Sequence, residues 1–344
     1  MKKLLNTLYV TKEGAYLHRE RETIIVEVER EKVLQLPIHT IKSVVCMGHG
    51  IMVSPGLMTL CCENSVTISF FTENGKFIAN VVGPQSGNVL LRKEQYRRSD
   101  SLEKSGEIAR MIVGAKISNS RAMLQRCTRN YPDHDNIGKL NEVISRLSYR
   151  LQQVKSCNDL DILRGIEGES ANDYFGCFNY QLTAKETAFI FSGRNRRPPL
   201  DPVNAMLSFT YTLLHHDVAS ALEGVGLDPA VGFLHRDRPG RNSLALDVME
   251  EFRAYVADRL VISMINLGQI KSKDFEITDS GAVNMSDTAR KDLITAYQKR
   301  KQDEIKHPFL DESVKIGLIP HIQALLLARY LRGDLDIYPA FVVK

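Results

Sequence analysis

The sequence predicts an α+β chain, a small N-terminal β-sandwich-like domain over residues 1–85 followed by a larger all-α domain over 86–344. Three observations carry that prediction. Short apolar/polar alternations with turn residues between them fill the first stretch. The run Gly83-Pro84-Gln85-Ser86-Gly87 then interrupts the pattern, and beyond it apolar residues recur with the helical period. At 344 residues, 43% hydrophobic and 25% charged, the chain has ample material for a packed core and is neither disordered nor a disulfide scaffold.

Taken in order, Ile24–Glu29, Ser43–Met47, Val66–Phe70 and Lys76–Val82 read as strands. Lys12-Glu13-Gly14, Gly48-His49-Gly50 and Glu73-Asn74-Gly75 separate them as turns. Ser54 followed by Pro55 marks a helix start, the serine as N-cap and the proline at the first helical position. After the break, helices are expected near 90–127, 137–155, 158–182, 201–223, 243–268, 286–305 and 315–331. Two Arg-rich loops broken by Pro and Gly, Ser192–Pro199 and Leu234–Asn242, lie between them. No apolar run approaches the roughly 18 residues of a bilayer span, and no cleavage site follows the N-terminal lysines. A cytoplasmic protein without membrane contact is expected.

Charge is unevenly spread. Residues 91–157 carry 14 Lys/Arg against 7 Asp/Glu, whereas residues 158–344 carry 22 against 26. A basic middle beside an acidic half suits a polyanion held next to a carboxylate-rich site, although a solvated basic helix face would give the same count. The six cysteines show no C-x-x-C pairing and read as reduced, mostly buried thiols. The motifs of nucleotide loops, serine hydrolases and zincins are absent.

What chemistry remains depends on helix faces. In LRGIEGESANDYF, Glu167 shares a face with Leu160, Leu163, Ala171 and Tyr174, so it needs a cation, a donor or a metal. A salt bridge to Arg164 at i−3 is the plain alternative. In SLALDVMEEFRAYV, Asp247 and Glu250 are neighbours with Arg253 three residues beyond, and nothing local chooses between Glu250 and Glu251. His235 stands among Arg236, Arg238 and Arg241, which disfavour its protonation and suit phosphate contacts. His215 and His216, adjacent in a helix, diverge too far to form a metal pair. Glu167, His235 and Glu250 together would make a carboxylate-imidazole set of the kind that suits Mn²⁺ or Mg²⁺.

Several runs then carry a resemblance: NVLLRKEQYR (88–97), LRGIEGESANDYF (163–175), RRPPLDPVNAMLSFTYTLL (196–214) and DPAVGFLHRDRPGRNSLALDVMEEFR (228–253). Together they are similar to the CRISPR-associated endonuclease/integrase family that captures new spacers, the "Cas one" family, and most to its type I-C branch. The resemblance spans essentially the whole chain. It implies Glu167, His235 and Glu250 as metal ligands and catalytic residues, with Asp247 and Asn204 in support. Many members have Asp where Glu250 stands, one methylene shorter. The implied reaction is metal-dependent attack by the 3′-hydroxyl of a captured prespacer duplex on a phosphodiester of the CRISPR repeat. Arg194, Arg196, Arg197, Arg236, Arg238 and Arg241 are the implied DNA contacts. The β domain would form a homodimer, and a small "Cas two" subunit would bridge two dimers in a heterohexameric adaptation complex. A DNA-binding scaffold with salt-bridged acids, or a metallo-nuclease without an integration role, are the rival expectations.

Overall fold

The computed structural model describes residues 7–41, 43–72, 77–81, 83, 89–157, 159–183 and 189–343. The chain divides into two compact units, Met1–Gly87 and Asn88–Lys344. The expected turn at Glu73–Gly75 and most of the Gly83–Gly87 break lie outside the described residues.

In the first unit, β1 (Thr7–Val10), β5 (Ser43–Met47), β7 (Thr67–Phe71) and β8 (Phe77–Val81) form one sheet in that order. A second sheet orders β4 (Glu31–Pro37), β3 (Thr23–Val28), β2 (Tyr16–Glu20) and β6 (Met52–Val53). Both sheets mix parallel and antiparallel pairs. Between β6 and β7 runs α1 (Pro55–Glu63), and Ser54 caps it as expected, its Oγ accepting from the Leu57 N–H at 3.2 Å. Leu17, Ile24, Val44, Leu57, Leu60 and Ile68 share one core, so residues of both sheets and the helix leave water together. The alternation expected through Glu29 stops one residue early. Glu29 and Arg30 adopt φ of +54° and +68° and form the two-residue turn between β3 and β4.

The second unit is mostly helical: α2 (Val89–Ser99), α3 (Leu102–Asn130), α4 (Ile137–Lys155), α5 (Leu160–Gly176), α6 (Pro202–Val225), α7 (Ser243–Glu250), α8 (Arg259–Asn266), α9 (Asp287–Gln302) and α10 (Ile319–Leu331). The expected helix over 90–127 is two helices, because Ser101 caps α3 and the Ser105 hydroxyl donates to the freed carbonyls of Arg98 and Ser99. The expected helix over 243–268 is broken by a π-helical turn at Arg253–Asp258, a distortion that recurs at functional sites. The unit is also not purely helical. Two hairpins, β9 (Phe275–Ile277) with β10 (Val283–Met285) and β11 (Glu304–Lys306) with β12 (Ser313–Lys315), interrupt the helices.

α6 holds the centre of this unit. Asp201 caps its N-terminus, Pro202 takes the first turn, and Gly226 ends it in the left-handed region at φ +87°. Residues on most of its circumference are buried, as a helix surrounded by others requires. α3 packs against α4, α5 and α7, bringing Lys116, Glu167 and Glu250 to one place. Among the described residues, no helix is long and apolar enough to cross a membrane.

Candidate active site

The site starts from a buried acid. Asp247, on α7, has no exposed surface and accepts from the backbone N–H groups of Phe233 (2.6 Å), Leu234 (2.9 Å) and His235 (3.0 Å). His235 Nδ1 lies 2.6 Å from the same carboxylate. A neutral imidazole must then donate from Nδ1, which leaves the Nε2 lone pair unspent. Gly232 makes this fold of chain possible, since a Cβ there would sit 2.8 Å from Asp247 Oδ2 and 2.9 Å from Ser243.

The two expected acids meet at a lysine. Lys116, on α3, pairs with Glu167 Oε1 and lies 2.8 Å from Glu250 Oε2, while Arg253 Nη1 holds Glu250 Oε1 at 3.1 Å. Burial alone would push the Glu250 carboxyl up, but Arg253, Lys116 and His235 together outweigh it and hold the pKa down near about 2. Glu250 therefore stays a carboxylate, as a ligand to a cation must. Glu167 and His235 line a cavity of about 370 Å³ together with Arg164, Arg236, Arg238 and Arg241. Arg164 does not pair with Glu167. Its guanidinium donates to Asp161 and to the Leu234 carbonyl, both at 2.7 Å, so it anchors the His235 loop instead.

The neighbouring acid turns away. Glu251 is fully buried and accepts from Tyr338 OH (2.6 Å), Phe341 N–H (2.7 Å) and Gln323 Nε2 (3.0 Å). Burial pushes its carboxyl up to about 7 against those three donors. Asn119 ties the same region together, donating to the carbonyls of Glu251 (2.7 Å) and Phe341 (2.8 Å) and accepting from Val343 N–H (2.8 Å). The register that sequence could not choose is thus settled by residues more than 70 positions away.

The remaining expected residues divide by role. Asn204 is buried and has all its polar capacity spent on Arg194, Asn195, Gly193 and Asp201. It fastens the Ser192–Pro199 loop to the start of α6. Arg194 is turned inward, donating to Asn204, Asn195 and Ser208 and lying over the Tyr211 ring. Arg196 and Arg197 are exposed. Arg236 is exposed and reaches Asp161 at 3.2 Å, while Arg238 and Arg241 face the His235 cavity. Cys46 and Cys61 are buried thiols pushed up to about 12, which removes them as nucleophiles.

Lys116 and Arg253 complete the site, and sequence reading missed the lysine. Its signal is visible afterwards: Ile112, Lys116, Ser120 and Met123 share one face of α3, and a charge on that apolar face calls for a partner. Among the described residues no three His, Cys, Asp or Glu groups stand close enough to hold a metal ion. The Lys116 ammonium occupies the space between the two carboxylates. Even so, the chemistry of the donor set fits a hard divalent cation. Two carboxylates already converge on one positive charge, and His235 keeps Nε2 free.

Over residues 8–299 the chain matches the family described as CRISPR associated protein Cas1. It is 50% identical over 342 residues, 99% of both chains, to CRISPR-associated endonuclease Cas1 1 of Chlorobaculum tepidum. It is 49% identical over 349 residues, the whole of both chains, to CRISPR-associated endonuclease Cas1 2 of Rhodospirillum rubrum. In fold it is similar to a casposase bound to integration product (TM-score 0.84, 23% identity, 99% of this chain and 95% of that one). It is also similar to a chain of a Cas6-RT-Cas1–Cas2 complex (TM-score 0.82, 23% identity), covering all of this chain and 36% of that one. Half-identity to relatives over their whole length, with the family match over residues 8–299, places the chain in the CRISPR-associated Cas1 family.

Proposed function

We propose that this protein is a metal-dependent DNA endonuclease and integrase that inserts captured spacer DNA into a CRISPR array in the cytoplasm. The observation that carries the reading is the convergence of Glu167 and Glu250 on one cation beside a histidine oriented by buried Asp247. Glu167, Glu250 and His235 through Nε2 would hold Mn²⁺ or Mg²⁺. When bound, such an ion polarises a phosphoryl oxygen and offsets the charge that grows there during displacement. Asp247 fixes the imidazole tautomer, and Arg253 keeps Glu250 ionised inside the protein. Arg236, Arg238 and Arg241 would grip phosphates at the cavity, with Arg196 and Arg197 as further exposed contacts.

The 3′-hydroxyl of the captured duplex forms the new phosphorus–oxygen bond as the repeat's own 3′-oxygen leaves and takes up a proton. One phosphodiester replaces another, so no side-chain nucleophile is required. Relatives that are CRISPR-associated endonucleases support nuclease chemistry, and the casposase and the Cas1–Cas2 complex support DNA and a Cas2 subunit as partners. The β unit would make the homodimer that Cas2 bridges.

A non-catalytic DNA-binding scaffold is the second reading, and it rests on Lys116, which already pairs with both acids. Strand transfer of a short duplex into a repeat-bearing plasmid, with the Cas2 subunit and Mn²⁺ or Mg²⁺, separates the two. Glu167→Ala, His235→Ala and Glu250→Ala should each abolish joining while duplex binding persists. Joining undiminished in chelator would overturn the metal mechanism, and cutting without joining would reduce the protein to a general nuclease.

A further inference from the structure

A second cavity, about 390 Å³, lies where the end of α3 meets α8 and α9, and shares no lining residue with the His235 cavity. That volume falls within the roughly 300–1,000 Å³ of ordinary ligand sites. Arg126, Arg259, Lys299 and Arg300 line it against a single lining carboxylate, Asp303. Among the described residues only Arg300 of these four has an ion-pair partner, Asp303 at 2.9 Å. Arg259 and Arg300 both lie against the Tyr255 ring, 5.1 and 4.9 Å from its centroid. Burial, then Arg300 and Arg126, lower the Arg259 pKa. Four cations gathered around one space with one acid among them are unfavourable unless an anion joins them.

The ring at the edge of the cavity says which anion. Tyr131 is 39% exposed and lines the same space, so a flat group can stack on it while charged oxygens reach the guanidinium forks. An acidic peptide would use the cations and leave the ring idle. We infer that this cavity binds a single-stranded nucleic-acid segment, its phosphates on Arg126, Arg259 and Lys299 and one base on Tyr131. The inference rests on the nucleic-acid reading above and adds a strand-holding site away from the candidate active site.

The sequence contains no tryptophan, so Tyr131→Trp places a lone fluorescent reporter at the cavity in the full-length chain. A twenty-nucleotide oligothymidylate should quench that fluorescence, and inorganic phosphate alone should not. Adding Arg126→Gln and Lys299→Gln, a half-buried and an exposed position, should weaken the quenching affinity about tenfold. The dependence of log affinity on log salt should become shallower by about 1.4, at ~0.7 per lost phosphate contact. No quenching at saturating oligonucleotide, or quenching that the two substitutions leave unchanged, would overturn the assignment. Equal quenching by polyglutamate would overturn it in favour of an acidic protein partner, and equal quenching by phosphate in favour of a free anion. Protein that shows the expected quenching yet joins no ends would refute the integrase reading and leave this one standing.

Discussion

Lys116→Met replaces the ammonium between Glu167 and Glu250 with an apolar chain of similar length. Its cost can be worked from Glu250, which is 3% exposed and held from 4.5 down to about 2 against its own burial. At about 1.36 kcal/mol per pKa unit, the cations supply roughly 3 kcal/mol net. Arg253 leads and Lys116 follows, so the lysine's share is about 1 kcal/mol. Two carboxylates left facing each other add a comparable penalty, for a total of about 2 kcal/mol at neutral pH. In a helical unit of this size that is a fall in Tm of about 4–8 °C. Because the native pKa of Glu250 is depressed, its stabilisation is complete above about 4.5 and fades as pH falls toward about 2. The gap between wild type and variant should therefore be widest near neutrality and narrow in acid. Thermal unfolding followed by circular dichroism from mildly acidic to neutral pH measures it. Millimolar Mn²⁺ should raise the variant's Tm more than the wild type's, since the acids now lack their internal cation. A gap independent of pH, with no differential gain from Mn²⁺, would refute the idea that the lysine stands in a cation site.

Three further outcomes are expected. Gly232→Ala must displace either Asp247 or the start of α7, which should cost about 1–3 kcal/mol and sharply reduce strand joining; full joining would show that the His235 seat is not rigid. Glu251 is raised to about 7 by burial, so its folded form favours the proton and stability should decline as pH rises through that value; Glu251→Gln should flatten the decline in chemical denaturation, and parallel curves would contradict it. Removing residues 1–87 should turn a dimer into a monomer by mass in solution, and an unchanged dimer would rule out the β unit as the dimerisation element.

The fold was legible where side-chain period and punctuation agree. Ser54-Pro55 announces α1, and the helix expected near 201–223 falls within two residues of α6 at each end. The breaks were harder. Ser101 ends a continuous-looking helical stretch only because Ser105 and the cap satisfy the loose carbonyls and amides there. The hairpins β9/β10 and β11/β12 have strands of three residues, too short for any period to register. In the site, Glu167 announced itself as an acid on an apolar face, and Asp247 only as a neighbour of Glu250. Which of Glu250 and Glu251 pairs with Lys116 was illegible, since Gln323, Tyr338 and Phe341 hold Glu251 through tertiary contact. The arginines of the Ser192–Pro199 loop look alike in sequence, and only packing against Tyr211 and Asn204 turns Arg194 inward.

The lacing of residues 338–343 onto Glu251 and Asn119 has a mechanical consequence. Asn119 sits one helical turn from Lys116, and Glu251 adjoins Glu250, so both shoulders of the acidic pair are braced by a segment remote from them in sequence. Were residues 338–343 to peel away, Lys116, Glu167 and Glu250 would all remain, but the brace beside them would be gone. Alignment of the acidic pair thus depends on a strap that carries none of its charges, and a change at Tyr338 or Phe341 would be felt at Glu250 without touching it.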